Sequence, residues 1–382
     1  MIETSPPSPV PGRRLRDWAV QALVLFGLVA LAGLAARMAA DNLARQGIAS
    51  GFGFLRVAAG FDIIMHLIDY NESSSYGRVF LVGLINTLVL TGVAIIGATV
   101  LGLMVGLARA SNNWMASKIA IVYIELFRNI PVLLQVFFWY FAVLRALPGP
   151  RNSLDFAGLM YLNNRGLYGP APGSGSGLAL AAVIAAGLIG LWLGRHLGGR
   201  RGAWAGLVLG VLGAAGAVAA GGGVGPWETP RLGRFGLSGG LVLIPEFVAM
   251  VMALTIYGSA YIAELVRAGL DGVDRGQWEA GRALGLGRGP LMRFVVLPQA
   301  LRLIVPPLTS QYLDVLKNST LATAVAYPDL MSVFGGTVLN QTGQAIEVLA
   351  ITMAVYLTIS LSISAAMNLY NRRLAWAGGG GR

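Results

Sequence analysis

Asp314 and Lys317 stand three residues apart inside the apolar run Leu303–Ala324, among Thr309, Gln311, Asn318, Ser319 and Thr320. A charge within such a run is costly and faces a cavity or a partner. A carboxylate and an ammonium at this spacing can neutralise each other on one helix face. The same two groups can also receive the two ends of a zwitterion, the carboxylate binding an ammonium and the ammonium a carboxylate. Asn86, Thr87 and Thr255 are further polar groups in apolar runs and could line such a path. At this point a structural pair with polar glue between helices and a solute path both stay open. A second pair, Glu125 and Arg128, precedes Pro131 and Gln135. It reads either as a hinge broken by the proline or as a snorkelling arginine with its acid at the membrane interface.

No other residues have the spacing of a catalyst. His66 and His196 are isolated, and the chain has no cysteine, so metal, disulfide and thiol chemistry have no framework. The two lysines, Lys118 and Lys317, follow Ser117 and Leu316, whereas a phosphate-binding loop needs glycine before its lysine. No Ser-His-Asp set or carboxylate pair sits on a rigid element. The expectation is a non-enzyme without metal or cofactor.

Composition says where these residues sit. Of 382 residues, 55% are hydrophobic and 12% charged, about half the charge of a soluble domain, and the mean hydropathy is +0.68. The pattern predicts an all-α integral membrane protein. About eight segments approach the length needed to cross hydrocarbon: Trp18–Ala36, Val79–Ala108, Ile119–Leu144, Leu178–Leu193, Trp204–Ala220, Leu241–Ile262, Leu303–Ala324 and Ile346–Leu369. The seventh is expected to be interrupted at Pro306-Pro307. With the N-terminus inside, about 17 basic residues fall on the inner side and about 9 on the outer, the sign that positive-inside insertion requires. Both termini are then expected in the cytoplasm. The net charge of +11 is a matter of topology and gives no reason to expect nucleic acid. Ser5–Pro11 reads as a tail, and Pro148–Gly177 and Gly221–Gly240 as exterior loops.

About 40 residues join the sixth and seventh spans, too many for a simple connection. A short helical pattern around Gln277–Leu284 ends at Gly285 and Gly287, and Pro298 marks the return to the membrane. Here the chain resembles a known family. Glu279-Ala280-Gly281, Gly285, Val295 and Leu297-Pro298 fit the E-A-A-x(3)-G-x(9)-I-x-L-P signature of the membrane subunits of binding-protein-dependent ABC importers. Gly281 replaces the second alanine, at a helix-propensity cost of about 1 kcal/mol, and Val295 replaces isoleucine. The run Tyr123-Ile124-Glu125-Leu126-Phe127-Arg128-Asn129-Ile130-Pro131-Val132-Leu133-Leu134-Gln135 resembles the signature of the polar amino-acid subfamily. So do Tyr257–Glu264 with Arg267-Ala268-Gly269, and Lys317-Asn318-Ser319-Thr320-Leu321. The whole pattern, extra spans included, looks like the general L-amino-acid permeases of Gram-negative bacteria.

The resemblance implies a five-helix type I importer core within residues 79–373, with helices inserted at about 145–240. Residues 1–78 would hold a tail, a first span and a periplasmic segment, and 374–382 a cytoplasmic tail. It implies an inner-membrane permease that passes L-amino acids from a periplasmic binding protein, with ATP hydrolysed by separate ATPase subunits and a second, related but different permease chain alongside. Trp278, Glu279, Ala280, Gly281, Arg282, Ala283, Leu284 and Gly285 would dock the ATPase, with Trp278, Leu284 and Leu286 as apolar anchor and Glu279 near the helix start as cap or ion-pair partner. Gln311, Asp314, Lys317, Asn318, Ser319 and Thr320 would line the solute path, and Glu125, Arg128, Pro131, Gln135 and Pro298 would be structural. The alternatives are an ion-coupled secondary transporter or channel, which predicts an internal repeat and no docking loop, and a membrane enzyme, which needs an acid/base or metal cluster that the sequence lacks.

Overall fold

The computed structural model describes residues 20–28, 51–171, 228–233 and 236–376, with scattered positions between 30 and 42; side chains are described as far as 371. The expected spans Leu178–Leu193 and Trp204–Ala220, His196, the stretch Ser5–Pro11 and residues 377–382 lie outside the described residues. Residues 20–28 are helical and exposed.

The core is built from α1 (Tyr76–Arg109), α2 (Trp114–Asn129), α3 (Val132–Phe137), α4 (Pro245–Asp271), α5 (Arg275–Ala283), α6 (Arg288–Leu291), α7 (Leu297–Asn318), α8 (Leu339–Thr342) and α9 (Ala345–Trp376). Four helical stretches among the described residues are long and apolar enough to cross a membrane, and α2 with α3 makes a fifth if the bent pair is one span. The chain is mostly helical, as composition requires, and the five segments are those expected of the core.

α1 and α4 form its centre. Ala98, Gly102 and Gly106 recur every four residues along one face of α1, and this face meets Ser259, Ile262, Ala263 and Val266 of α4. A methyl group on Gly102 would stand 2.7 Å from Ile262 Cβ, and one on Gly106 2.7 Å from Val266 Cβ. In hydrocarbon, helices associate through close packing rather than through expulsion of water, and small residues permit it. α7 runs back along α4, with Ile304 against Gly269 and Val315 against Gly258.

Two boundaries depart from the sequence reading, and the third span breaks at the proline that offered a hinge. The sixth span starts at Pro245, not Leu241; Leu241–Leu243 is a strand, and Pro245 supplies the fixed φ favoured at a helix start. Pro306 and Pro307 do not interrupt the seventh span: α7 runs through them. They remove two amide donors, yet Leu303 and Ile304 are wedged against Gly272 and Gly269 of α4, which holds the turn in place. The third span is broken, with α2 and α3 meeting at 103°.

The described parts of the stretches expected to be exterior loops lie at one end of the bundle and form strands. Leu154–Phe156 (β1), Met160–Asn163 (β2) and Gly166–Gly169 (β3) pair antiparallel and are joined by Leu241–Leu243 (β6); Arg231–Gly233 (β4) and Gly236–Ser238 (β5) form a hairpin. Residues 51–75 pack at the same end against the connector between α7 and α9, with Phe54, Tyr76, Val79 and Phe334 in one apolar cluster. α5 and α6 lie at the opposite end.

Gly102→Val is expected to push α1 from α4 and cost about 1–3 kcal/mol. The check is a lower Tm of the detergent-solubilised chain, with Gly92→Ala, whose new methyl meets nothing within 4 Å, as the unaffected control.

Candidate functional site

Two sites emerge, a cavity between helices and an exposed short helix at the opposite end from the sheet.

The cavity measures about 320 Å³ and is lined by Tyr257 and Tyr261 of α4 and by Gln311, Asp314, Lys317 and Asn318 of α7. Tyr257 and Tyr261 are one helical turn apart, so their rings meet at a tilt of 52° with centroids 4.9 Å apart, and the Tyr257 hydroxyl donates to that of Tyr261 at 3.3 Å. Asp314 and Lys317 do not neutralise each other: no ion pair joins them among the described residues, and both are exposed. Both side chains line the open cavity.

Arg128 belongs to the same neighbourhood. It does not pair with Glu125, as the spacing allowed; its guanidinium lies 5.1 Å from the Tyr261 ring centre, a cation–π arrangement, and the Tyr261 hydroxyl donates to the Arg128 carbonyl at 3.4 Å. Arg128 and Asp314 both act electrostatically on Tyr257. The wall therefore carries an acid, a cation and two phenols, with Arg128 over the second phenol. Tyr257 and Tyr261 were legible in the sequence only as motif letters; their period of four on the helix that faces α7 was the available signal.

The break that aims Arg128 has a specific chemistry. Pro131 has no amide proton, so the helix cannot continue through it, and carbonyls at the end of α2 lose their donors. Gln135, buried one turn into α3, donates from Nε2 to the carbonyls of Phe127 and of Ile130, both at 3.0 Å. Asn129 Nδ2 donates to the Glu125 carbonyl at 2.7 Å. Pro131 and Gln135 are thus complementary parts of one bend. Pro298 sits in the first turn of α7, where its missing donor is not needed.

Several residues expected on the path are elsewhere. Ser319 is fully buried and donates to the Leu316 carbonyl, and Thr320 donates to the Lys317 carbonyl; neither lines the cavity. Asn86 and Thr87 are buried in α1 and tie it to its neighbours: Asn86 Nδ2 donates to the Met65 and Pro328 carbonyls, each at 2.8 Å, and Thr87 Oγ1 accepts the Leu330 amide at 2.9 Å. Thr255 packs against Gly97 of α1.

α5 is the second site. Asp274 caps it by accepting the Gly276 amide at 2.6 Å, so Glu279 is not the cap; it is exposed and forms no ion pair among the described residues. The helix closes with the Leu286 amide on the Gly281 carbonyl at 3.1 Å and the Gly285 amide on the Arg282 carbonyl at 2.9 Å, the two bonds of a Schellman ending. Gly285 takes φ +74, a conformation glycine adopts without strain. Trp278 and Leu286, expected as outward anchors, pack instead against the apolar cluster of α4, α6 and α7. Gly281 is buried, and Leu291 fills the place an alanine methyl would take, which accounts for the departure from the signature. The exposed surface is Glu279, Ala280, Arg282, Ala283, Leu284 and Gly285, with Leu284 81% exposed. Leu284 therefore protrudes between one acid and one arginine on a helix that is clamped from beneath.

The comparisons with known proteins agree with this geometry. The model of the binding-protein-dependent transport system inner membrane component family matches residues 98–376. The chain belongs to this family. The ABC transporter permease protein YhdX of Escherichia coli (strain K12) is 50% identical over 380 residues, 94% of each chain. The general L-amino acid transport system permease protein AapQ of Rhizobium johnstonii is 44% identical over 366 residues, covering 93% of this chain and 91% of that one. The glutamate/glutamine/aspartate/asparagine transport system permease protein BztB of Rhodobacter capsulatus is 37% identical over 404 residues, 94% of each. As a member, the chain is a multi-pass membrane component of a transporter.

Gln135→Leu keeps the volume but leaves the Phe127 and Ile130 carbonyls without a donor. It is expected to cost about 1–3 kcal/mol, read as a fall in Tm of the purified chain.

Proposed function

We propose that this chain is the permease subunit of an ATP-driven importer that carries L-amino acids across the inner membrane. Its relatives AapQ and BztB are named for amino-acid transport. The observation that carries the reading is the cavity between α4 and α7, where Asp314, Lys317 and Arg128 present separated, unneutralised charges. An ammonium docks at Asp314 and a carboxylate at Lys317 or Arg128, while Tyr257 and Tyr261 pack the apolar part of the solute. A neutral zwitterion satisfies both signs of charge at once, and neither a simple cation nor an anion does.

The same charges argue for a second permease chain. Asp314, Lys317 and Arg128 are exposed on the lone chain, and charged groups within the spanning stretches 114–144 and 288–325 cannot face lipid without heavy cost. A related permease covering this face closes the path, and the family pattern makes it a different chain from this one.

Energy enters at α5. The chain carries no nucleotide-binding loop of its own, so ATP is hydrolysed by partner ATPases, and the exposed face Glu279–Gly285 is where one docks. Trp278 and Leu286 transmit its motion, because they join α5 to the cluster holding α4 and α7. Closure of the ATPases on ATP moves α5 as a rigid body, and the cavity changes the side to which it opens. This places α5 and both termini in the cytoplasm and the sheet in the periplasm, where the binding protein delivers its cargo.

Glu279→Lys is expected to leave the chain in the membrane and lower co-purification of the ATPase about tenfold or more; undiminished co-purification would remove the docking role. In proteoliposomes holding the whole importer, Asp314→Asn and Lys317→Met are each expected to lower ATP-driven L-amino-acid uptake about tenfold with ATPase assembly unchanged. Normal uptake in both would remove the cavity from the path.

A further inference from the structure

Behind the cavity wall lies a sealed polar cluster that the transport reading does not use. Ser319 follows Asn318 in the chain but turns away from the cavity, and it has no exposed surface. Its hydroxyl and that of Thr87 lie beside the hydroxyl of Tyr356, on α9, and donate to the Leu316 and Gly83 carbonyls. The Tyr356 hydroxyl donates to Asp329 Oδ2 at 3.4 Å. Asp329 is completely buried, and its Oδ1 accepts the Ser332 amide at 2.8 Å. The stretch that bears Asp329 is fastened to α1 on both sides. The Tyr327 hydroxyl donates to the Asn86 carbonyl at 3.1 Å, Asn86 Nδ2 donates to the Pro328 carbonyl, and the Leu330 amide donates to Thr87. One carboxyl thus sits where α1, the end of α7, the α7–α9 connector and α9 meet.

The titratable groups facing this carboxyl are Tyr356 from α9 and Tyr327 from the connector itself. α1 presents Thr87 and Asn86, and the turn after α7 presents Ser319. No cation acts on Asp329 among the described residues. An ionised carboxylate sealed away from water without a counter-charge is costly, even with the Ser332 and Met331 amides and the Tyr356 hydroxyl donating to it. A structural acid at this junction would serve equally well as an amide, so the choice of an ionisable group calls for a role.

We propose that Asp329 is a positioning residue for the cavity, a proton-operated stay that sets the turn from which Lys317 and Asn318 project. When ionised, its Oδ2 accepts from Tyr356, and Tyr356 is held against Ser319. When a proton from bulk water binds Oδ2, the carboxyl becomes the donor and the Tyr356 hydroxyl the acceptor. The Tyr356 proton then turns to Ser319 or Thr87, and the turn shifts to a second setting. Burial pushes the carboxyl up to about 7, so the change of state falls within the range of pH met outside a bacterial cell. The proposal rests on the reading of the cavity as the amino-acid path.

The test uses the complete importer in proteoliposomes, with luminal pH fixed and radiolabelled L-glutamine as the probe. Initial uptake is followed as external pH is varied from about 5.5 to 8.5. Native uptake is expected to titrate with a midpoint near 7, and Asp329→Asn to abolish that titration. Tyr356→Phe removes a donor to the ionised form, so its midpoint is expected to rise by about half a unit to one unit. A second readout is thermal. The native chain holds the Asp329 proton at pH values where the unfolded chain has lost it, so its Tm falls as pH rises from about 4 to about 7, and Asp329→Asn removes that part of the fall.

A native importer without titration between about pH 6 and 8 would overturn the proposal. So would an Asp329→Asn importer that retains it, or a Tyr356→Phe midpoint that stays put or falls. If Asp329→Asn does not reach the membrane, Tyr356→Phe decides. Full uptake in both Asp314→Asn and Lys317→Met overturns the path reading. Lost uptake in those two, with an unaltered pH response in Asp329→Asn, overturns this proposal alone.

Discussion

Hydrocarbon offers no hydrogen bonds, so wherever the backbone of this chain leaves regular helix, a side chain must supply what water would have supplied. The bend between α2 and α3 is closed by Gln135 on two carbonyls. The connector after α7 is closed by Asn86 and Thr87, which reach from α1 to the Pro328 carbonyl and the Leu330 amide. At the far end, α5 ends in its own paired backbone bonds with Gly285 in the left-handed region. These polar residues, read singly, look like candidates for a solute path. Most are instead what the irregular backbone needs.

The departures from helix are also what make the protein a transporter component rather than a bundle. A straight α2–α3 span would carry Arg128 along its own axis. Broken at Pro131, it sets Arg128 over Tyr261 and beside the cavity. A straight α7 would carry Ser319 on past the wall. The tight turn after Asn318 sends Ser319 inward to α9 and leaves Lys317 and Asn318 outward. The seam of Ala98, Gly102 and Gly106 against α4 keeps these pieces in register, because backbones packed without intervening side chains do not slide readily.

Helix α5 shows how one motif divides between two faces. Its period brings Trp278, Gly281 and, past the turn, Leu286 to the side that packs on the core, and leaves Glu279, Ala280, Ala283 and Leu284 on the other. The sequence names all of them alike. A lever needs both a face that is gripped and a face that grips, and only the packing assigns the residues between the two.

Apolar length, the basic bias and the spacing from Glu279 to Pro298 were enough to establish a helical membrane component of this family and the place of its exposed loop, because these depend on composition and on order along the chain. Tertiary structure alone decided that Asp314 and Lys317 stay apart, that Arg128 joins them, that Ser319, Asn86 and Thr87 are structural, and that α7 passes through two prolines unbroken. It also decided that the segments on either side of the insert make a sheet. The reason is the same in each case: an ion pair, a bend or a strand pairing depends on which distant residue arrives alongside, and helical period cannot say which of α1, α4, α7 and α9 will be the neighbour.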